Sequence, residues 1–265
     1  MGHIIAIAGK GGTGKTTVAA LLIRLIAGNK LGSVLAVDAD PNSNLAELLG
    51  VEVKESVGDI LSEVAADPSV VAQGMSKDRF IEYRVQTSIA EADNFDILTM
   101  GMPEGPGCYC YVNNVLRSIV SKLIKEYDYI VIDNEAGLEH LSRRTTRRAE
   151  SFVIVSDATA VGLRAAARIN SLIKELKFEK QNIFLIINRV AKSSQEKLDN
   201  ADIKKMEESG VDYLGNMPQD DEVLNLSIKG NTIFNLKESA ASLQALARIG
   251  ERICQRNALK SGRGR

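Results

Sequence analysis

The sequence Gly9-Lys10-Gly11-Gly12-Thr13-Gly14-Lys15-Thr16 is the strongest indication of how this chain folds. It follows an apolar, strand-like run at residues 4–8 and precedes an apolar, helix-like run at residues 18–23. A glycine-rich loop in this context lets backbone N–H groups converge on phosphate oxygens, and the following helix adds its positive dipole end. Lys15 is expected to neutralise the β- and γ-phosphates, and the Thr16 hydroxyl to bind Mg²⁺. We therefore predict that residues 9–16 and Thr17 bind a nucleotide.

A second lysine, Lys10, stands near the start of this loop. With it, the loop resembles the deviant Walker A loop of the MinD/ParA/nitrogenase-iron-protein class of ATPases. The resemblance implies that the early lysine crosses a nucleotide-sandwich homodimer to the phosphates of the partner subunit, where it stabilises transition-state charge as an arginine finger does. Lys10 and Lys15 are thus expected to be catalytic. A solvated loop lysine is the alternative for Lys10.

Alternating strand-like and helix-like runs predict an α/β fold. Several of the strand-like runs are nearly continuous Val, Ile and Leu, as in strands buried on both faces of a parallel sheet. We expect one doubly wound, mostly parallel sheet of about seven strands flanked by helices, a P-loop NTPase of the MinD type. The expected strands are 4–8, 34–37, 97–100, 129–132, 152–155, 183–187 and 213–214; the expected helices are 15–27, 112–125, 162–176, 195–208 and 239–257. Periodicity does not decide the structure of residues 54–94.

Composition places the chain among ordinary globular proteins. It has 265 residues, 45% of them hydrophobic and 25% charged, and a net charge of −1. This balance gives no general attraction to DNA or to an anionic membrane, and no run is long and apolar enough to span one. We expect a cytoplasmic protein with no nucleic acid or membrane partner. The expected organisation is one ATPase domain over residues 1–258 and a flexible basic tail over 259–265.

Three aspartates follow predicted strands, where the switches and the Mg²⁺ site of a P-loop ATPase are expected. Asp38 and Asp40 lie two residues apart, so their side chains point to the same side of an extended chain. Their segment resembles switch I, which implies that Asp40 orients the attacking water while Asp38 supports Mg²⁺ hydration or loop geometry. An Asp-Pro turn is the alternative. Asp133 ends a Walker B pattern and is expected to hold Mg²⁺ through a water, and residues 134–140 resemble switch II.

The same class resemblance implies a base-binding site late in the chain. Asn188 and Arg189 match the asparagine-containing segment that reads the adenine edge, and Pro218 and Asp220 match the loop that packs on adenine and ribose. An asparagine at the end of a strand is also a common turn residue. The chain lacks an Asn-Lys-x-Asp guanine motif, which favours ATP and ADP over guanine nucleotides.

Cys108 and Cys110 form a close pair in a Gly/Pro-rich loop, and the third cysteine is Cys254. In a reducing compartment such a pair indicates metal or redox chemistry. Two thiolates are too few for a closed tetrahedral site, but a symmetric dimer offers four on its twofold axis. Four thiolates suit Zn²⁺ in tetrahedral or Ni²⁺ in square-planar geometry. The alternative is two small residues without a ligand.

The cysteine pair, the run 113–117 and the run 133–143 together resemble the CooC/AcsF family of nickel-insertion ATPases. The resemblance extends from Ile4 to the final predicted helix. It implies a homodimer that hydrolyses ATP, binds Ni²⁺ at Cys108 and Cys110 with Zn²⁺ possible at the same site, and inserts nickel into carbon monoxide dehydrogenase or acetyl-CoA synthase. Chemistry alone assigns no role to Glu139 or His140.

Two other functions remain open at this point. An electron carrier like the nitrogenase iron protein would share an iron–sulfur cluster across the dimer, but no cysteine lies near Asp133. A positioning ATPase of the MinD/ParA type would need a membrane-binding terminus or a DNA-binding surface. The predicted helix 239–257 is amphipathic, but packing on the sheet explains that pattern equally well.

Overall fold

A computed structural model describes residues 2–102, 115, 118–119, 121–135, 149–176, 182–191 and 200–254. The predicted α/β fold is confirmed: the strands form a single sheet in the order β3-β4-β2-β5-β1-β6-β7-β8. Every neighbouring pair is parallel except β3 and β4. The strands are β1 (His3–Gly9), β2 (Val34–Ala39), β3 (Ala90–Glu91), β4 (Asp96–Thr99), β5 (Tyr129–Asn134), β6 (Ser151–Ser156), β7 (Asn182–Val190) and β8 (Asp212–Pro218).

Helices cover both faces of this sheet, as continuous apolar strands require. The helices with described bounds are α1 (Lys15–Gly28), α2 (Asn44–Leu49), α3 (Val57–Ala66), α4 (Lys77–Thr87), α5 (Ala160–Glu175), α6 (Asn200–Glu208), α7 (Asp221–Lys229) and α8 (Ala241–Cys254). Residues 115, 118–119 and 121–123, within the predicted helix 112–125, are also helical. One core lies under α1, α2 and α8, and the other lies under α3, α4, α5 and α6. The sheet is therefore sandwiched, and its carboxyl edge is left for ligands.

The apolar face of α8 packs against the rest of the fold. Leu243, Leu246, Ile249 and Ile253 are all buried, with at most 7% of any of them exposed. The amphipathic pattern of this segment thus reflects packing. Within the described ranges, no helix combines the length and the apolar character needed to cross a membrane.

Residues 54–94, whose structure periodicity did not decide, are mostly helical. Ser56 begins α3 with a capping box, because its hydroxyl accepts from the Asp59 N–H while the Asp59 carboxylate accepts from the Ser56 N–H. A short 3₁₀ turn at Pro68–Val70 and α4 follow. The two-residue strand β3 then pairs antiparallel with β4 at the sheet edge, so the described part of the chain contributes eight strands to the sheet.

Candidate nucleotide-binding site

The glycine-rich loop leaves the carboxyl end of β1 and leads directly into α1. Gly12 and Gly14 have φ angles of 81° and 87°, in the left-handed region that favours glycine. A Cβ atom on Gly9 would lie 2.3 Å from the carbonyl oxygen of Val155 in β6, so the backbones approach too closely for any side chain. The loop thus has the fold of an anion-binding turn, with its glycines where the geometry requires them.

Lys15 folds back onto this loop. Its side chain is buried, and its Nζ atom donates to the Lys10 carbonyl oxygen at 3.4 Å. The same carbonyl accepts from the Thr13 hydroxyl at 2.9 Å. Burial lowers the pKa of Lys15, while the carboxylates of Asp133, Asp40 and Glu135 act in the opposite direction. Lys10, by contrast, is exposed.

Asp133 lies beside Thr16 at the end of β5, as expected for a Mg²⁺ site. It is 1% exposed, and burial raises its pKa to about 7 although a hydrogen bond with the Thr16 side chain acts against the rise. Its Oδ1 atom has no hydrogen-bond partner in the part of the chain that the structure describes. A buried carboxylate oxygen left unpaired beside a hydroxyl is an all-oxygen donor set of the kind that Mg²⁺ prefers. Thr16 and Asp133 therefore fit the predicted Mg²⁺ site.

Asp38 lies on the neighbouring strand β2, where it is in register with Asp133 of β5. It is completely buried. Its Oδ1 atom accepts from the Asp40 N–H at 3.2 Å, and its Oδ2 atom accepts from the Leu45 N–H at 2.9 Å. Burial raises the pKa of Asp38 to about 6. The sequence left two roles open for Asp38, support of Mg²⁺ hydration and support of loop geometry. These contacts serve loop geometry.

Asp40 is partly buried and turns toward its own loop. Its Oδ1 atom accepts from both the backbone N–H and the side-chain amide of Asn42, each at 2.9 Å. This is the Asp-Pro turn of the alternative interpretation. The carboxylate nevertheless lies close enough to Lys15 to oppose the lowering of the Lys15 pKa. Switch I is thus next to the phosphate-binding loop, with Asp40 held by Asn42.

A cavity of about 350 Å³ opens beside the loop, at the carboxyl ends of β7 and β8. Five of the predicted nucleotide-binding residues line it: Thr17, Asn188, Arg189, Pro218 and Asp220. It lies against the first turn of α1, so a base placed there adjoins phosphates held by the loop. The structure thus brings the predicted base-binding residues together with the predicted phosphate-binding residues.

Asn188 and Arg189 also hold the loop itself. The Asn188 Nδ2 atom donates to the Thr13 carbonyl at 2.8 Å, and the Arg189 Nη1 atom donates to the Gly12 carbonyl at 2.9 Å. Arg189 has a φ angle of 56°, which is costly for a residue other than glycine. Strained backbone of this kind persists only where the surroundings enforce it. Here the irregular end of β7 directs two consecutive side chains at the loop.

Asp220 caps α7 and binds α8 as well as lining the cavity. Its Oδ1 atom accepts from the Glu222 N–H at 3.0 Å, and its Oδ2 atom accepts from the Ser242 N–H at 2.8 Å and the Ser242 hydroxyl at 2.7 Å. Partial burial alone would raise the pKa of Asp220, but these hydrogen bonds outweigh it and the pKa is lowered. Both carboxylate oxygens are thus occupied by protein groups.

Sequence reasoning missed several residues that line this cavity. One face of α7 contributes Val223, Leu224 and Ser227, and α8 contributes Ser242. Because α7 begins at Asp221, shortly after β8 ends at Pro218, Val223, Leu224 and Ser227 lie on one face of this helix. An N-cap aspartate after a predicted strand was the available signal.

The predicted metal ligands Cys108 and Cys110 lie outside the described residues, as do Glu139, His140 and most of the switch II segment. Across the described residues, no group of three or more His, Cys, Asp and Glu side chains is arranged to hold a metal ion. Cys254 is buried in α8, and burial raises the pKa of its thiol to about 12, as expected for an inert core cysteine.

Comparison with known proteins identifies the family. Residues 4–233 match the model of the CobQ/CobB/MinD/ParA nucleotide-binding domain. An uncharacterized ATP-binding protein of Methanocaldococcus jannaschii is 41% identical, covering 94% of this chain and 98% of its own. The carbon monoxide dehydrogenase accessory protein CooC of Rhodospirillum rubrum is 28% identical, covering 93% of this chain and 97% of its own.

A solved structure has the same fold over its whole length. The septum site-determining protein MinD of Pyrococcus horikoshii, complexed with Mg-ADP, superposes with a TM-score of 0.70 and 25% identity, covering 99% of this chain and 98% of that one. The family match spans most of the chain and includes the loop, Asp38, Asp40 and all the residues that line the cavity except Ser242. The chain therefore belongs to the CobQ/CobB/MinD/ParA nucleotide-binding domain family.

Proposed function

We propose that this ATPase of the MinD/ParA class is a dimeric nickel chaperone. In this proposal it binds Ni²⁺ between two subunits at Cys108 and Cys110 and delivers it, with ATP hydrolysis, to carbon monoxide dehydrogenase or acetyl-CoA synthase. The observation that carries the metal assignment is the Cys-x-Cys pair in a chain that aligns with CooC over nearly all of its length.

The nucleotide part of the proposal rests on the site geometry. Lys15 would hold the β- and γ-phosphates, and the cavity beside Asn188 would hold adenine. Thr16 and Asp133 would hold Mg²⁺, which when bound supplies positive charge against the phosphate oxygens. Asp40 would orient the attacking water once its turn with Asn42 rearranges.

The dimer part of the proposal rests on the two lysines of the loop. Lys15 is buried and directed at its own loop, whereas Lys10 is exposed. An exposed lysine next to a phosphate site is placed to serve a second subunit rather than its own. The same twofold assembly would complete a four-thiolate site from two cysteine pairs, so one dimer satisfies both requirements.

The test compares nickel binding in matched cysteine variants by equilibrium dialysis and metal analysis. We expect the wild-type protein to bind one Ni²⁺ per two subunits, and the double variant Cys108→Ser/Cys110→Ser to bind none while keeping its ATP affinity. Cys254→Ala is the matched control, because that cysteine is buried in α8 and should leave nickel binding unchanged. Full nickel binding by the double variant would contradict the proposal.

A second measurement tests assembly. Light scattering with saturating Ni²⁺ and a non-hydrolysable ATP analogue should show a dimer, and a protein that stays monomeric under these conditions contradicts the proposal. Stimulation of ATP hydrolysis by anionic liposomes or by DNA, without nickel binding, would instead favour a positioning ATPase. An iron–sulfur chromophore in anaerobically purified protein would favour an electron carrier.

A further inference from the structure

Thr99 carries a buried hydroxyl without a hydrogen-bond partner. The residue is 3% exposed, and its Oγ1 atom neither reaches solvent nor bonds to any group in the described structure. Nearly all buried polar groups in native proteins are paired, because an unpaired one costs stability. An exception beside a ligand site therefore calls for a functional cause.

The position of Thr99 in the sheet indicates that cause. Thr99 ends β4 in register with Asp38 on β2, and Asp38 is in register with Asp133 on β5. Side chains in register on parallel strands point to the same face, and neighbouring strands are about 4.8 Å apart. The three residues thus form a row along the carboxyl edge, with Thr99 next to Asp38 in that row.

Asp38 has room for another donor. Its two oxygens accept from the N–H groups of Asp40 and Leu45, which stand at either end of the switch I loop. A carboxylate offers roughly four acceptor positions. The 3.2 Å distance between the Asp40 nitrogen and the Asp38 Oδ1 atom is long for a hydrogen bond to a carboxylate, so this hydrogen bond is weak.

The loop between these two contacts is itself strained. Ser43, at the N-cap of α2, has a φ angle of 55°. A residue other than glycine in this left-handed conformation costs free energy, and such strain is typical of segments that switch between two arrangements. A change in this loop would move Asp38, because both oxygens of Asp38 are attached to it.

We infer that Thr99 is a positioning residue for ATP hydrolysis: in the nucleotide-bound state its hydroxyl donates to the Asp38 carboxylate and, through Asp38, fixes Asp40. The hydrogen bond between the Thr99 hydroxyl and Asp38 then favours the arrangement in which Asp40 is held for hydrolysis. The inference rests on the ATP hydrolysis in the proposed function and is independent of nickel.

The test uses nickel-free protein and compares Thr99→Val with Thr99→Ser. We expect Thr99→Val to lower kcat for ATP about tenfold, as the loss of one hydrogen bond to a charged group implies, with KM within about twofold of wild type. The Tm of the nucleotide-free valine variant should equal or exceed the wild-type value, because the valine leaves no unpaired hydroxyl. Thr99→Ser, which keeps the hydroxyl, should restore kcat.

Thr87→Val is the matched control, since the Thr87 hydroxyl donates to the Arg84 carbonyl at 2.9 Å at the end of α4, on the surface. It should change neither kcat nor KM. A wild-type kcat in Thr99→Val, or a lowered Tm of its nucleotide-free form, would overturn the inference, the second by showing that the hydroxyl is structural. A wild-type protein without any ATP hydrolysis would overturn the proposed function instead, which is a distinct result.

Discussion

The side-chain amide of Asn188, near the end of β7, donates to the Thr13 carbonyl oxygen in the phosphate-binding loop at 2.8 Å. This contact joins the cavity at the ends of β7 and β8 to the glycine-rich loop, because Asn188 lines the cavity and donates to the loop. One buried side chain therefore contacts both the cavity and the loop.

This packing makes Gly14 more sensitive to substitution than Gly12, which also has a left-handed φ angle. A Cβ atom there would lie 2.5 Å from the Asn188 Nδ2 atom, whereas a Cβ atom on Gly12 meets nothing within 4 Å. Both glycines have left-handed φ angles, so both alanine variants share a similar backbone cost of about 1 kcal/mol. We expect Gly14→Ala to lower the Tm of the nucleotide-free protein clearly more than Gly12→Ala. Equal losses would show that the contact with Asn188 adds nothing.

Substitutions of Lys10 and Lys15 should have different effects on ATP binding and hydrolysis. Lys15→Ala removes the buried lysine from the loop and should abolish ATP binding. Lys10→Ala should retain ATP binding but lower kcat by roughly a hundredfold or more, in line with the loss of a charge supplied in trans. Isothermal titration and steady-state kinetics separate the two effects. Lys54→Ala, an exposed lysine far along the chain, is the control; an unchanged kcat in Lys10→Ala would remove the basis for action in trans.

The parallel core could be predicted because its strands are continuous apolar runs that only a doubly covered sheet can bury. β3 could not, since a two-residue edge strand carries no periodicity. The segment that became α4 has only three buried residues, and two of these, Phe80 and Ile81, are adjacent. Adjacent apolar residues fit a strand as well as a helix, so the secondary structure of this segment depended on its packing against α3.

The residues of the candidate site could be named, but their contacts could not. Asn188 and Thr13 are far apart in the sequence, and only the assembled sheet brings them together. The Asp220 carboxylate is likewise occupied by Ser242, which no local pattern indicates. Sequence motifs thus indicated which residues line the candidate site, and tertiary structure determined which of those residues also support the fold.

Asp133 should limit the stability of the nucleotide-free protein in a pH-dependent way. Burial raises its pKa in the folded state to about 7 from the ordinary aspartate value of 3.8, so between these values the folded state binds more protons than the unfolded state. Folding stability should therefore fall as pH rises from about 4 to about 7 and then level off. Asp133→Asn removes this contribution and should be more stable than wild type at pH 7.5, with a smaller advantage at pH 5.

Urea denaturation at the two pH values measures this difference. Asp38 has a raised pKa of the same sign, but it is present in both proteins and largely cancels in the comparison. The same variant should lose Mg²⁺-dependent ATP binding. A stability difference that does not change with pH would contradict the assigned burial of the Asp133 charge.

The contact between Asp220 and Ser242 should support both the cavity and the packing of α8 on the rest of the fold. Asp220→Ala removes an N-cap and the acceptor of two hydrogen bonds, which should cost about 2 kcal/mol of unfolding free energy and also weaken ATP binding. Ser242→Ala loses only the hydroxyl bond, since its backbone N–H still donates, and should cost about 1 kcal/mol. If the contact is direct, the double variant should be no less stable than Asp220→Ala alone; fully additive losses in urea denaturation would show that the two residues act independently.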